Sequence, residues 1–276
     1  IQLLNLRHLT RQHESLTKAY VQTKLQFHAV LDQVFPEYVG VFGRIDGLTS
    51  LAVLQSFPTP QAVEEAGLEQ VVASIQSVAT RGRSQTWAVD KAKKIMAAAQ
   101  NTPLSGIVYE SHVISLQMLI RLLLQFQEHL STLEQQIDAL AEEVKEYDLL
   151  RSIPGVGNKI AATILSEVGE IERFDHPSKL IAFAGVDPSV YASGKFVATS
   201  NRITKRGSKR LRHALYLAVQ CGLRRSTNQR LRAFYDKKRE EGKAKKVAKI
   251  ACVNKLLRWI FAILHRQEPY QMEQVA

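Results

Sequence analysis

Six cations, Arg202, Lys205, Arg206, Lys209, Arg210 and Arg212, fall within eleven positions, and a serine beside a glycine, Ser193-Gly194, precedes them. Guanidinium forks and ammonium groups at this density neutralise phosphates, and a helix start adds backbone N–H donors. Each duplex phosphate neutralised adds about −0.9 to the slope of log affinity on log salt. A serine near such a field has a chemical use, because attack on a phosphodiester builds a pentavalent transition state that clustered positive charge stabilises. The same Ser-Gly pair also suits an ordinary turn. No His-Asp pair is visible to serve Ser193 as in a hydrolase. Metal-binding carboxylates are not apparent: Asp187 stands alone, and Glu167, Glu170 and Glu172 read as helical surface acids. Aromatic residues are sparse here (Tyr191, Phe196, Tyr216), which argues against single-strand stacking as the main mode.

A second candidate lies upstream, in SIPGVGNKIAATIL from Ser152 to Leu165. A Pro-Gly-Val-Gly turn between two helical patterns reverses the chain tightly, and glycine leaves the N–H groups at the next helix start unobstructed. This is the pattern of a helix-hairpin-helix, which grips a phosphate without reading a base. Gly155, Val156, Gly157, Asn158 and Lys159 are its candidate contacts, joined downstream by Lys195 and the six cations. An ordinary helical corner that binds nothing fits the same residues.

The charge is concentrated. The 276 residues carry a net +11, yet residues 191–260 hold 20 Lys/Arg against three acids. That one-sided block predicts a polyanionic partner, nucleic acid ahead of a membrane surface. Cys221 and Cys252 lie in apolar helical patterns without metal-ligand spacing and read as buried small hydrophobes in a reducing compartment. No apolar run approaches a membrane span, and no signal peptide is evident. The chain opens at Ile1 inside a helical pattern, as expected for part of a longer protein.

The elements that must position these groups read as mainly α. From Leu116 to Tyr147 apolar residues follow a 3-4 spacing through more than four heptads, a coiled-coil pattern. Leu6, Leu9, His13, Leu16, Tyr20, Thr23, Phe27, Val30 and Val34 form a matching seam, in which polar His13 and Thr23 would fix register. The expected organisation is a coiled-coil helix over 1–35, a helical insert over 36–110, a coiled-coil helix over 111–148 and a C-terminal domain over 149–276. In the insert, Phe57 to Pro60 makes a turn and Trp87 to Ala99 a helix, with Arg81 and Arg83 as incidental contacts. In the C-terminal domain, Ser178 would cap Lys179–Ala184, Lys195 to Ser200 is one candidate β element, and Ser208 would cap a helix with Leu211, Leu215, Ala218 and Gly222 inward. Two more helices follow, from about Thr227 and from about Ala244 to Leu264, the latter with Val247, Ile250, Leu257 and Phe261 inward.

Four segments, IPGVGNKIAATILSEVGEIERF, KLIAFAGVDPSVYASGKF, RITKRGSKRLRHALYLA and LRAFYDKKREEGKAKKVAKIACVNKLLRWI, closely resemble the C-terminal domain of IS-one-ten (DEDD, Piv-like) insertion-sequence transposases. They run in order over residues 150–262, and residues 1–149 resemble that family's coiled-coil and linker region. The resemblance implies a bridge-RNA-guided DNA recombinase of two parts. An N-terminal RuvC-like domain holds Mg2+ on an Asp-Glu-Asp-Asp set, and the C-terminal domain supplies a serine that forms a covalent phosphoserine. Ser193 matches that serine, after the step Gly185-Val186-Asp187-Pro188; Ala192 replaces a second serine common in the family, and Ser189 is the nearby competitor. The RuvC-like domain is not in these residues, so the resemblance implies no cofactor bound by this chain, and a chain that alone binds nucleic acid without recombining it. Its implied partners are DNA and a structured guide RNA, in the bacterial cytoplasm at the nucleoid. The two coiled-coil seams allow pairing within one chain or between copies, with a homo-oligomer through the coiled coil as the expectation, and no membrane partner is expected. A non-enzymatic helix-hairpin-helix module for branched or duplex DNA is the competing reading.

Overall fold

The computed structural model describes residues 1–78, 84–102, 110–189, 192–193, 196–197, 202–224 and 227–271, with residues 192–193 and 196–197 described for their backbone alone. Arg81, Arg83 and Lys195 lie outside the described residues. The chain is mainly helical and divides into two compact units, residues 13–132 and residues 1–12 with 133–276.

The first helix, α1 (Gln2–Val34), and a second of equal length, α5 (Glu110–Glu142), contribute to both units. Within residues 13–132, the seam residues Phe27 and Val34 are fully buried, in one core with Leu116, Ile120 and Leu123. His13 and Thr23 are also buried, as polar seam positions. The insert adds a 3-10 turn at Pro36–Tyr38, then α2 (Leu48–Ser56), α3 (Pro60–Val78) and α4 (Gln85–Asn101). Helix α3 kinks at Gly67, whose φ of 71° and ψ of 172° are not helical. Ser84 caps α4 by accepting from the Trp87 amide.

One buried carboxylate ties this unit together. Asp46 is 2% exposed and accepts from Tyr20 Oη at 2.7 Å, Lys24 Nζ at 3.0 Å and Arg44 Nη2 at 3.1 Å. Gln127 of α5 donates to both Tyr20 Oη and the Asp46 carbonyl. Burial opposes ionisation of Asp46, but the bonds from Tyr20, Arg44 and Lys24 outweigh it and hold the carboxyl well below its usual range. A depressed folded pKa contributes stability that is fully present above the unfolded value of about 3.9 and fades as pH falls through the lower folded value. Asp46→Ala should therefore cost this unit about 2–4 kcal/mol at neutral pH and flatten its acid-unfolding profile below about pH 4, read by urea melts at a series of pH values.

In the other unit α5 does not run on to Tyr147 as the heptad spacing predicts. It stops at Glu142, and Val144 turns extended, at φ −106° and ψ 115°, before α6 (Lys145–Arg151). The break lets α6 place Tyr147, Leu149 and Leu150 in the core. Helix α7 (Asn158–Val168) packs against α6 and α9 (Lys209–Leu223) through buried Ala161 and Ala162, whose small side chains permit close approach. Helix α8 (Pro177–Ala184) is capped by His176 rather than Ser178: the ring Nδ1 accepts from the Ser178 amide. Two backbone strands, β1 (Ala192–Ser193) and β2 (Phe196–Val197), pair antiparallel with Ser193 opposite Phe196; the rest of the expected Lys195–Ser200 strand lies outside the described residues.

Ser208 caps α9 as expected, and Leu211, Leu215, Ala218 and Gly222 all face inward. Helix α10 (Gln229–Glu240) starts on Asn228, and α11 (Lys245–Arg266) closes the core with Cys252, Leu256, Leu257 and Ile260. Val247, expected inward, is 54% exposed because Ala248 takes the inward position one residue on. No helix among the described residues is long and apolar enough to cross a membrane.

Candidate nucleic-acid interface

The turn Pro154 to Gly157 is a joint before it is a grip. Gly155 sits at φ +102°, and a Cβ there would lie 2.6 Å from the Gly222 amide nitrogen and 3.0 Å from the Ala218 carbonyl. The two glycines thus bring the hairpin backbone onto the C-terminal end of α9. Asn228, 1% exposed, locks the contact: its Nδ2 donates to the Pro154 carbonyl while its Oδ1 accepts from Leu231 N to start α10. Val156 is buried. The exposed part is Gly157, Asn158 and Lys159. Asn158 Nδ2 donates to Asp138 at 3.4 Å, and Lys159 pairs with Glu134. Two acids of α5 therefore flank this helix start and offset its attraction for an anion.

The start of α9 is different. A cleft of about 510 Å³ opens there, lined by Arg206, Gly207, Ser208, Lys209 and Arg210, by Arg7 and Arg11 of α1, and by Arg173, Phe183 and Glu167. Glu167 is not the surface acid its helical position predicts. It is 3% exposed, because it lies at the end of α7 that faces both α1 and the α9 cap. Arg11 grips it with Nε to Oε1 at 2.8 Å and Nη2 to Oε2 at 3.2 Å, and Ser208 Oγ donates to Oε2 at 2.9 Å. Burial works against its charge, yet the bonds from Arg11 and Ser208 prevail and lower the carboxyl below its usual range. The one acid lining the cleft is thus already matched.

Neighbouring bonds fix the cations around it. Arg7 Nε donates to the Ser166 carbonyl at 2.7 Å, and Thr10 and Ser166 share a hydroxyl–hydroxyl bond at 3.2 Å. Both contacts hold α1 on the end of α7, where a cation also meets the negative pole of that helix. The Arg173 guanidinium stacks 4.4 Å from the Phe183 ring and 4.6 Å from Phe174. Arg206 and Lys209 have no acidic partner among the described residues.

The remaining predicted cations are not in the cleft. Arg212 Nη1 donates to the Ala184 carbonyl at 2.9 Å and closes the end of α8. Lys205 adopts a left-handed backbone, φ 55°, with its amide on the Gly185 carbonyl. Arg202 is exposed. Arg7, Arg11 and Arg173 were not legible as site residues; the four-residue spacing of Arg7 and Arg11 on one helix face was the available signal.

Residues 147–236, which hold the hairpin, Ser193 and the α9 start of the cleft, match the transposase family IS116/IS110/IS902.

The likeness extends beyond these residues. The chain is 25% identical over 266 residues, 95% of its length, to a 43.6 kDa protein of insertion element IS110 from Streptomyces coelicolor. It is 31% identical over 150 residues, 54% of its length, to the transposase of insertion element IS1111A from Coxiella burnetii, and 30% identical over 137 residues, 49% of its length, to the pilin gene-inverting protein of Moraxella bovis. The chain spans 63%, 41% and 42% of the lengths of these three relatives.

Within residues 147–236 the two serines differ. The Ser189 hydroxyl and amide both donate to the Arg202 carbonyl at 2.7 Å, while Ser193 closes a strand pair with Phe196. In α11, beyond residue 236, burial first and then the Asp236 carboxylate push the Cys252 thiol up to about 12, so it stays protonated at neutral pH. Among the described residues no group of three or more His, Cys, Asp or Glu could hold a metal ion.

Proposed function

We propose that this chain is the serine-bearing part of an RNA-guided DNA recombinase and that it binds DNA and a structured guide RNA through the basic face of residues 133–276. What supports this best is the transposase-family match over residues 147–236, a range that includes Ser193 and the α9-start cations Arg206, Lys209 and Arg210. The chemistry is a phosphodiester exchange. Ser193 Oγ bonds to phosphorus, the bond from phosphorus to the leaving deoxyribose oxygen breaks, and the serine proton passes to that oxygen. A hydroxyl on the incoming strand then attacks the phosphoserine, restores a phosphodiester and returns a proton to Ser193. Bond type is conserved, so no external energy source is required, and the cations stabilise the charge that develops on phosphorus.

The chain alone is proposed to bind nucleic acid and not to exchange strands. The test joins it to the RuvC-like region that the family resemblance implies, incubates it with RNA and labelled DNA, and digests for a DNA-linked peptide. A nucleotide adduct on Ser193 is expected; strand exchange with an adduct elsewhere would remove Ser193 from the mechanism. The competing non-enzymatic hairpin is weakened by Glu134 and Asp138, which occupy the side chains that would meet the phosphate.

Copies of the chain are proposed to associate through α1 and α5. Ile114, Met118 and Leu122, at four-residue spacing, and Val21 and Leu25 are large apolar residues left 42–60% exposed on those helices. A second copy would cover them. Met118→Glu with Leu122→Glu should convert the oligomer to monomer in sedimentation analysis; an unchanged mass would exclude this face.

A further inference from the structure

Two helix starts compete for the phosphate that the proposed function requires, and their surroundings separate them. The α7 start has no side-chain cap and two acids beside it. The α9 start has the Ser208 cap, a cleft of about 510 Å³ and six cations, with its single acid saturated at the base by Arg11 and Ser208. Ser208 Oγ satisfies the Leu211 amide. The Lys209 amide, like those of any first helical turn, has no partner within the helix. The two starts cannot serve the same phosphate: Gly155 meets the far end of α9, and fifteen residues of helix span about 22 Å.

Resting on the nucleic-acid reading above, we propose that the α9 cleft is a phosphate subsite for a nucleic-acid backbone and that Arg7 and Arg11 of the first helix are part of it. The division of labour follows from the bonds. Arg11 is a positioning residue: its guanidinium cancels Glu167 and links α1 to the Ser208 cap. Arg206 and Lys209, unpaired by any acid among the described residues, are the groups that meet the phosphate. Arg173 is held flat on Phe183 at the cleft wall, and Arg7 is anchored by one nitrogen with its remaining N–H groups available. Glu167 also limits depth, since a phosphate entering to the floor would meet its carboxylate. The anion is therefore held at the rim, as a continuous backbone requires.

The test uses the 276-residue chain with a labelled DNA duplex and an RNA hairpin of equal length, titrated at several salt concentrations. Arg206→Gln and Arg7→Gln are each expected to reduce the salt slope by about 0.9 on the duplex and to weaken binding about tenfold at low salt. Lys93→Gln, an equal charge change on α4 outside the basic face of residues 133–276, should leave the slope unchanged. The nucleic acid that shows the loss identifies whose phosphate occupies the cleft. Equal losses from Arg206→Gln and Lys93→Gln would overturn the subsite in favour of a diffuse field. Tight binding of both nucleic acids with no loss from either cleft variant would overturn it as well. A wild-type chain that binds neither defeats the broader reading and this one with it. Thermal unfolding checks each variant; should Arg7→Gln unfold, Arg206→Gln decides, because it gives up no bond among the described residues.

Discussion

Gly207→Ala is expected to cost the 133–276 unit about 3 kcal/mol or more, a large share of a typical total of about 5–15 kcal/mol. A Cβ at residue 207 would lie 1.8 Å from the Phe183 carbonyl oxygen, 2.5 Å from its carbon and 2.7 Å from the Gly185 amide. All three are main-chain atoms and cannot rotate aside. The same Phe183 carbonyl accepts from the Ser208 amide at 2.8 Å, so moving the chain away breaks the bond that seats the α9 cap. Loss of the cap releases Ser208 from Glu167 and opens the floor of the cleft. Urea unfolding should show a lower midpoint with an unchanged slope, or no folded protein at all. Gly157→Ala is the control: at φ −88°, with nothing within 4 Å of its Cβ, it should cost less than about 1 kcal/mol. Equal stability of the two variants would mean that residue 207 does not press on α8.

What the sequence disclosed was local, and what it concealed was set by distant partners. Ser208 as a cap and the inward run Leu211, Leu215, Ala218 and Gly222 follow from a polar residue placed just before a 3.6-residue period. The seam at Phe27 and Val34 was legible for the same reason. The stop at Glu142 was not, because no glycine or proline marks it; the demand of Tyr147 and Leu150 for the core overrides a heptad pattern that would run on. Glu167 looked like a solvated helical acid because its partner Arg11 is 156 residues away. Gly155 was read as clearing space for a phosphate, and the space it clears belongs to Gly222. Glycine patterning reports that something approaches closely without reporting whether it is a ligand or another helix.

In the proposed recombinase, with the chain joined to the RuvC-like region that the family resemblance implies, Ser193→Ala is expected to reduce strand exchange at least about 10³-fold while leaving DNA and RNA affinity within about twofold, the signature of a group that acts in the chemical step and not in binding. Affinity should persist because the cations of the α9 cleft lie on other elements, and the exchange of one hydroxyl for hydrogen removes no charge. Ser189 provides the internal comparison. Its hydroxyl is committed to the Arg202 carbonyl at 2.7 Å, in a segment where Thr204 also pairs with Asp187 through both backbone and side chain. Freeing that hydroxyl would require opening the Asp187–Ser189 pairing with Arg202–Thr204. Ser189→Ala should accordingly lower exchange by less than about threefold, an effect of less than about 1 kcal/mol on the barrier. The reverse ranking, with Ser189→Ala inactive and Ser193→Ala active, would move the covalent step to the paired serine. It would also require that pairing to open during each reaction cycle, which amide hydrogen exchange at Ser189 and Thr204 would register.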